Sequence, residues 1–136
     1  MSNIDNLVRQ HVEIKNNINT LKNIISNKNL EDNSFEIAKL INTLAGKLKV
    51  HLSSEDKHLY PRLLQDDNDK IRKTAEVYND EMKDVYSTFT DFKMKYNTKN
   101  KINDNIISFR EDTRKILNIL ENRIKKEDLN LFPLLK

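Results

Sequence analysis

HLSSEDKHLYPRLL (residues 51–64) and RIKKEDLNLFPLL (residues 123–135) are one pattern written twice. Aligned without a gap, they set His51 against Arg123, Glu55 against Glu127, Asp56 against Asp128, Leu59 against Leu131, Tyr60 against Phe132 and Pro61 against Pro133. In each copy a polar residue and a glutamate lie four apart, which puts both on one face of a helix. In each, the proline lacks an N–H and crowds the carbonyl four residues back, so the helix ends or kinks there.

Working outward, apolar residues recur at helical spacing on both sides of the two copies. The first predicted helix covers residues 5–26, with the stripe Ile4, Leu7, His11, Ile14, Ile18, Leu21 and Ile25. The second covers 35–60, with Ile37, Ile41, Leu44, Leu48, His51 and Glu55, then His58 or Leu59. The third covers 70–96, with Ile71, Ala75, Tyr78, Met82, Val85, Phe89, Phe92 and Tyr96, and Glu81 at its edge. The fourth covers 104–131, with Ile106, Phe109, Thr113, Ile116, Leu120, Arg123, Glu127 and Leu131. Polar segments 26–34, 65–69 and 97–104 read as loops, and Asn33 or Ser34 is placed to cap the second helix. Gly46, beside Ala45, predicts a close approach of another helix.

A chain of 136 residues with one Gly and two Pro breaks few helices. The expected fold is all-α: one domain over 1–136, an antiparallel up-down-up-down four-helix bundle. His11 matches Met82 at an offset of 71 and His51 matches Arg123 at 72, so each half is a helical hairpin. There is no Cys, hence no disulfide, thiolate metal site or thiol redox couple. No stretch is apolar or long enough to span a bilayer, and the N-terminus MSNIDNLVRQH is too polar for a signal peptide. The expectation is a cytoplasmic protein without a membrane partner. Its net charge of +3 is interspersed rather than patched, which argues against nucleic acid as a partner. Neither a phosphate-binding loop nor a nucleophile with a base beside it is evident.

In an antiparallel bundle, residues equidistant from a loop lie at similar height. Loops near residues 29–32, 66–67 and 100–101 then bring His11, His51, Glu55, Met82 or Glu81, Arg123 and Glu127 to one layer. Each unpaired charge buried there costs several kcal/mol, on the order of a lost buried ion pair. Something cationic must offset the acids: a metal ion or Arg123.

An early His on the first helix, HxxxE before LYP on the second and the matching ED…LFPLL end of the fourth resemble a hemerythrin-like, cation-binding HHE domain over nearly the whole chain. The resemblance implies a four-helix bundle that holds non-haem iron, often two ions, through His and carboxylate side chains, and that binds or senses O2 or NO or handles iron. Carried over, His11, His51 and Glu55 match ligand positions and Glu127 matches the carboxylate of the fourth helix. The chain departs from the family at two ligand positions: Met82, preceded by Glu81, stands where members often carry a His, and so does Arg123. A variant branch of the family looks similar to this pattern. Arg cannot ligate and Met is a soft ligand that iron does not favour. The surviving metal set is His11, His51, Glu55 and Glu127, helped by Glu81, for one or two ions. The alternatives are a metal-free interaction or structural module, in which Arg123 pairs with Glu55 and Glu127, and an iron enzyme that processes peroxide or NO.

Overall fold

A computed structural model of the chain describes residues 3–26 and 29–135, and all regular structure among them is helical. Four long helices carry the fold: α1 (Asn3–Ile25), α2 (Ser34–His58), α3 (Asp69–Tyr96) and α4 (Ile106–Lys126). They form a helical bundle in which α1 packs on α2 and α4, and α3 packs on α2 and α4. No described helix is long and apolar enough to cross a membrane.

The inward stripes follow the 3–4 spacing. Ile14, Ile18, Leu21 and Ile25 of α1 meet Ile37, Ile41, Leu44 and Leu48 of α2, Phe89, Phe92 and Tyr96 of α3, and Phe109, Ile116, Leu120 and Ile124 of α4 in one apolar cluster. Its centre is aromatic, with Tyr96 edge-on to Phe109 at 4.9 Å. A second cluster, at the other end of the bundle, gathers Leu7, Leu59, Tyr60, Leu63, Ala75, Leu131, Phe132 and Leu135. Along every helix the stripe passes from one cluster to the other through a residue that belongs to neither. These are His11 in α1, His51 and Glu55 in α2, Met82 in α3 and Glu127 just after α4, all buried.

The helices differ from the expectation in four places. Pro61 does not close its segment: α2 breaks at Leu59, and Tyr60–Leu63 forms one further helical turn with the proline in its first turn, where a missing N–H costs nothing. The segment 97–104 is not all loop. Thr98 accepts a hydrogen bond from the Lys101 N–H and starts a short helix, Lys99–Asn103, that buries Ile102. Neither Asn33 nor Ser34 caps α2 through its side chain; the Ser34 hydroxyl donates to the Glu31 carbonyl at 2.9 Å. Gly46 permits no close approach of a helix, because a Cβ placed there would meet nothing within 4 Å; it opens on a surface groove with Gln10, Glu13, Thr43, Lys47 and Val50. Within the expected loop 26–34, residues 27 and 28 lie outside the described residues, as do 1, 2 and 136 of the expected domain. By contrast α3 starts as an N-cap should, with the Asn68 side chain accepting from the Lys70 N–H at 2.9 Å.

Phe109 is fully buried where all four stripes meet, so Phe109→Ala should cost about 3–5 kcal/mol, read as a fall in the midpoint of denaturant unfolding. On the α3–α4 surface the Tyr96 hydroxyl donates to Asp112, and this bond, with Lys95 at 3.0 Å, holds the Asp112 carboxyl below its usual value of 3.8 against the opposing effect of partial burial. A lowered carboxylate stabilises above its unfolded pKa, and that stabilisation is lost as pH falls through the folded value. Asp112→Asn should therefore melt below the parent at pH 7, and the gap should close in acid below both values.

Candidate metal centre

α1 delivers His11 between Leu7 and Ile14, and α2 delivers His51 and Glu55 one turn apart below Leu48. α4 ends at Lys126, and the chain continues as a π-helical turn, Glu127–Leu131, before a 3₁₀ turn, Phe132–Leu135. Such widened turns inside α-helices are frequent at functional sites. Here it carries Glu127, buried completely, and Asp128, partly exposed, toward the same neighbour on α1.

His11, His51, Glu55 and Glu127 each offer one atom to a group whose members all lie within 4.8 Å of one another. His11 Nε2 is 2.9 Å from His51 Nε2 and 3.0 Å from Glu127 Oε1. His51 Nε2 is 3.4 Å from Glu55 Oε2 and 3.7 Å from Glu127 Oε1. Both Glu55 oxygens and Glu127 Oε2 are buried without a hydrogen bond. The far ring nitrogens are occupied: His11 Nδ1 donates to Asp128 Oδ1 at 2.7 Å, and His51 Nδ1 donates to Gln10 Oε1 at 2.8 Å. Phe132 stacks on the His11 ring at 4.6 Å and fixes its plane.

The electrostatics follow from this crowding. Burial disfavours protonation of His51, but the adjacent carboxylates of Glu127 and Glu55 outweigh it and push its pKa up to about 9. Burial opposes His11 likewise, and bonds to Asp128 and Glu127 again raise it. Glu55 is pushed upward, by burial first and then by the charge of Glu127. Glu127 goes the other way: burial would raise it, but hydrogen bonds from His11 and His51 bring it down. The layer thus draws positive charge to one spot.

The residues present fit a metal ion there. With Nδ1 of both rings donating, Nε2 is the nitrogen each ring turns toward the other, 2.9 Å apart, where a proton or a metal ion can lie between the rings and the carboxylates. The oxygens of Glu55 that lack a partner are the hard donors such an ion would take.

Glu81 lies elsewhere. It is half-exposed, pairs with Arg123 and is absent from the group of four. Arg123 does not pair with Glu55 or Glu127 in the way the metal-free alternative pictures: its guanidinium lies over the Tyr78 ring at 4.6 Å and reaches Glu81 on α3. Met82 is buried. His58 is exposed and Leu59 takes the inward position. Helical spacing alone does not find Gln10, Ser54 and Asp128. Gln10 precedes His11, and Asp128 was visible only as the partner of Asp56 in the repeat, where Asp56 is exposed.

A buried carboxylate with no hydrogen bond destabilises the fold that holds it, so Glu55→Leu should raise the melting temperature of the metal-free protein. Thermal melts in excess chelator test this; a variant that melts below the parent would show that Glu55 is held by partners other than an ion.

Comparison with known families gives one result. The model described as Hemerythrin HHE cation binding domain matches residues 2–135. Neither the comparison with curated proteins nor that with solved structures returns a match.

Proposed function

The chain belongs to the hemerythrin HHE cation-binding family, and from that we propose that His11, His51, Glu55 and Glu127 hold a non-haem metal ion, iron first, for reversible binding or sensing of O2 or NO. The observation that carries the reading is the pair of Nε2 atoms at 2.9 Å beside carboxylate oxygens without a hydrogen bond. Two imidazoles and two carboxylates are a donor set suited to Fe(II), Mn or Zn. On this reading residues 1–136 are one domain, and the four long helices run alternately up and down, as connections of eight to ten residues between touching neighbours favour. The protein works in the cytoplasm.

The residues divide the work. His11 and His51 supply neutral donors, and Glu55 and Glu127 supply the charge that offsets a divalent ion. An ion held there would supply a Lewis acid, redox-active if it is iron. Leu7, Leu59 and Phe132 on one side and Ile14, Leu48 and Ile124 on the other keep bulk water from the layer. Arg123 and Met82 stand at the two positions where the family often has His, so one ion is held by the group of four. Glu81 balances the charge of Arg123, outside the group of four.

Protein purified from iron-fed cells should carry near-stoichiometric metal, and His51→Ala should carry almost none; equal, near-zero iron in both would end the iron reading. Removing the ion should lower the melting temperature, because a ligand at 100 times its Kd adds about 2.7 kcal/mol to the folded state. A metal-free module would melt the same with and without chelator.

A further inference from the structure

Two residues that touch no proposed ligand atom decide which nitrogen each imidazole offers. Ser54 Oγ donates to the Val50 carbonyl at 3.0 Å, so its lone pairs must accept, and they accept from Gln10 Nε2 at 3.0 Å. That fixes the Gln10 amide with its oxygen toward the core, where it takes the Nδ1 proton of His51 at 2.8 Å. Gln10 itself is only 9% exposed, so water does not compete strongly for this bond. On the other ring Asp128 Oδ1 takes the Nδ1 proton of His11 at 2.7 Å, and its second oxygen is held by Lys15 Nζ at 2.8 Å. Both chains of bonds end on the same result: Nδ1 keeps its proton, and Nε2 is the nitrogen aimed at the group of four.

We propose that Gln10 and Asp128 are positioning residues that lock His51 and His11 in the Nε2-donor form, and that they make the two imidazoles unequal ligands for a divalent first-row cation. The proposal rests on the metal-binding reading above and adds what sets affinity within it. A carboxylate accepting the Nδ1 proton increases the basicity of the opposite nitrogen more than a neutral amide does. His11, backed by Asp128, is the stronger donor; His51, backed by Gln10, is the weaker. The widened turn at Glu127–Leu131 underlies the difference. The aligned acid of the first copy, Asp56, follows Glu55 on a regular α-helix and is exposed, while Asp128 follows Glu127 on the π-helical turn and reaches His11.

The test is titration of the metal-free protein with Co(II) alone and with Zn(II) alone, with the visible Co(II) spectrum recorded alongside. Gln10→Leu and Asp128→Leu should each weaken binding about 10–100-fold, with the larger loss at Asp128. Asp128→Asn and Gln10→Glu keep an acceptor and should restore most of it, and Gln10→Glu should match or exceed the parent. The Co(II) bands should shift in the two Leu variants and return in the conservative ones. A parent that binds with Leu variants binding equally well overturns the positioning roles and leaves the metal reading standing. A loss that the conservative variants do not rescue, accompanied by a lower melting temperature of the metal-free protein, also overturns them, because that is what a packing role alone produces. A parent that binds neither ion overturns both.

Discussion

A layer of acids and imidazoles interrupts the core of this bundle, and the rest of the structure is arranged around the cost of that interruption. Two apolar clusters would otherwise be continuous along the helix axes. Charged groups in such a place are tolerated only when paired and hydrogen-bonded, and Glu55 is neither fully paired nor hydrogen-bonded. Conditions that suit cation capture are poor for the fold on its own. That opposition is the usual sign that a local rule of packing has been broken for function.

The surroundings limit the damage. Phe132 covers one face of His11, and the ring's outer nitrogen is tied to Asp128. Gln10 and Ser54 do the same for His51. Arg123, which shares the inward stripe of α4, is drawn off to Tyr78 and Glu81 and does not neutralise the acids. A guanidinium between Glu55 and Glu127 would have made the layer self-sufficient. Placed where it is, it leaves their negative charge available.

Helical spacing tells which side of a helix a residue takes, and this chain spells it out clearly. The stripes of α1, α2, α3 and α4 are the buried or partly buried faces, with His11, His51, Glu55 and Glu127 among them. Composition decided the fold class for a simple reason: one Gly and two Pro leave little to interrupt a helix. What periodicity cannot carry is the direction of a residue beside the stripe. Gln10 and Asp128 neighbour inward residues and read as surface, and only the three-dimensional approach of α1 to α2 and to the turn after α4 turns them inward. Nor does a repeat in sequence guarantee a repeat in backbone: Pro61 and Pro133 are aligned, yet the first copy goes from α-helix through Leu59 into another helical turn and the second passes through a π turn into a 3₁₀ turn. The Lys99–Asn103 helix was hidden in a polar segment because a single apolar residue, Ile102, anchors it.

The division of the core has a mechanical side. Two well-packed apolar halves joined through a polar seam with unsatisfied carboxylate oxygens are held least firmly at that seam, and local opening concentrates where cohesion is lowest. A cation lodged in that seam works as a rivet: it draws α1, α2 and the turn after α4 together at once. An ion held there would tie three separate parts of the chain at one point and so raise the cost of opening either half.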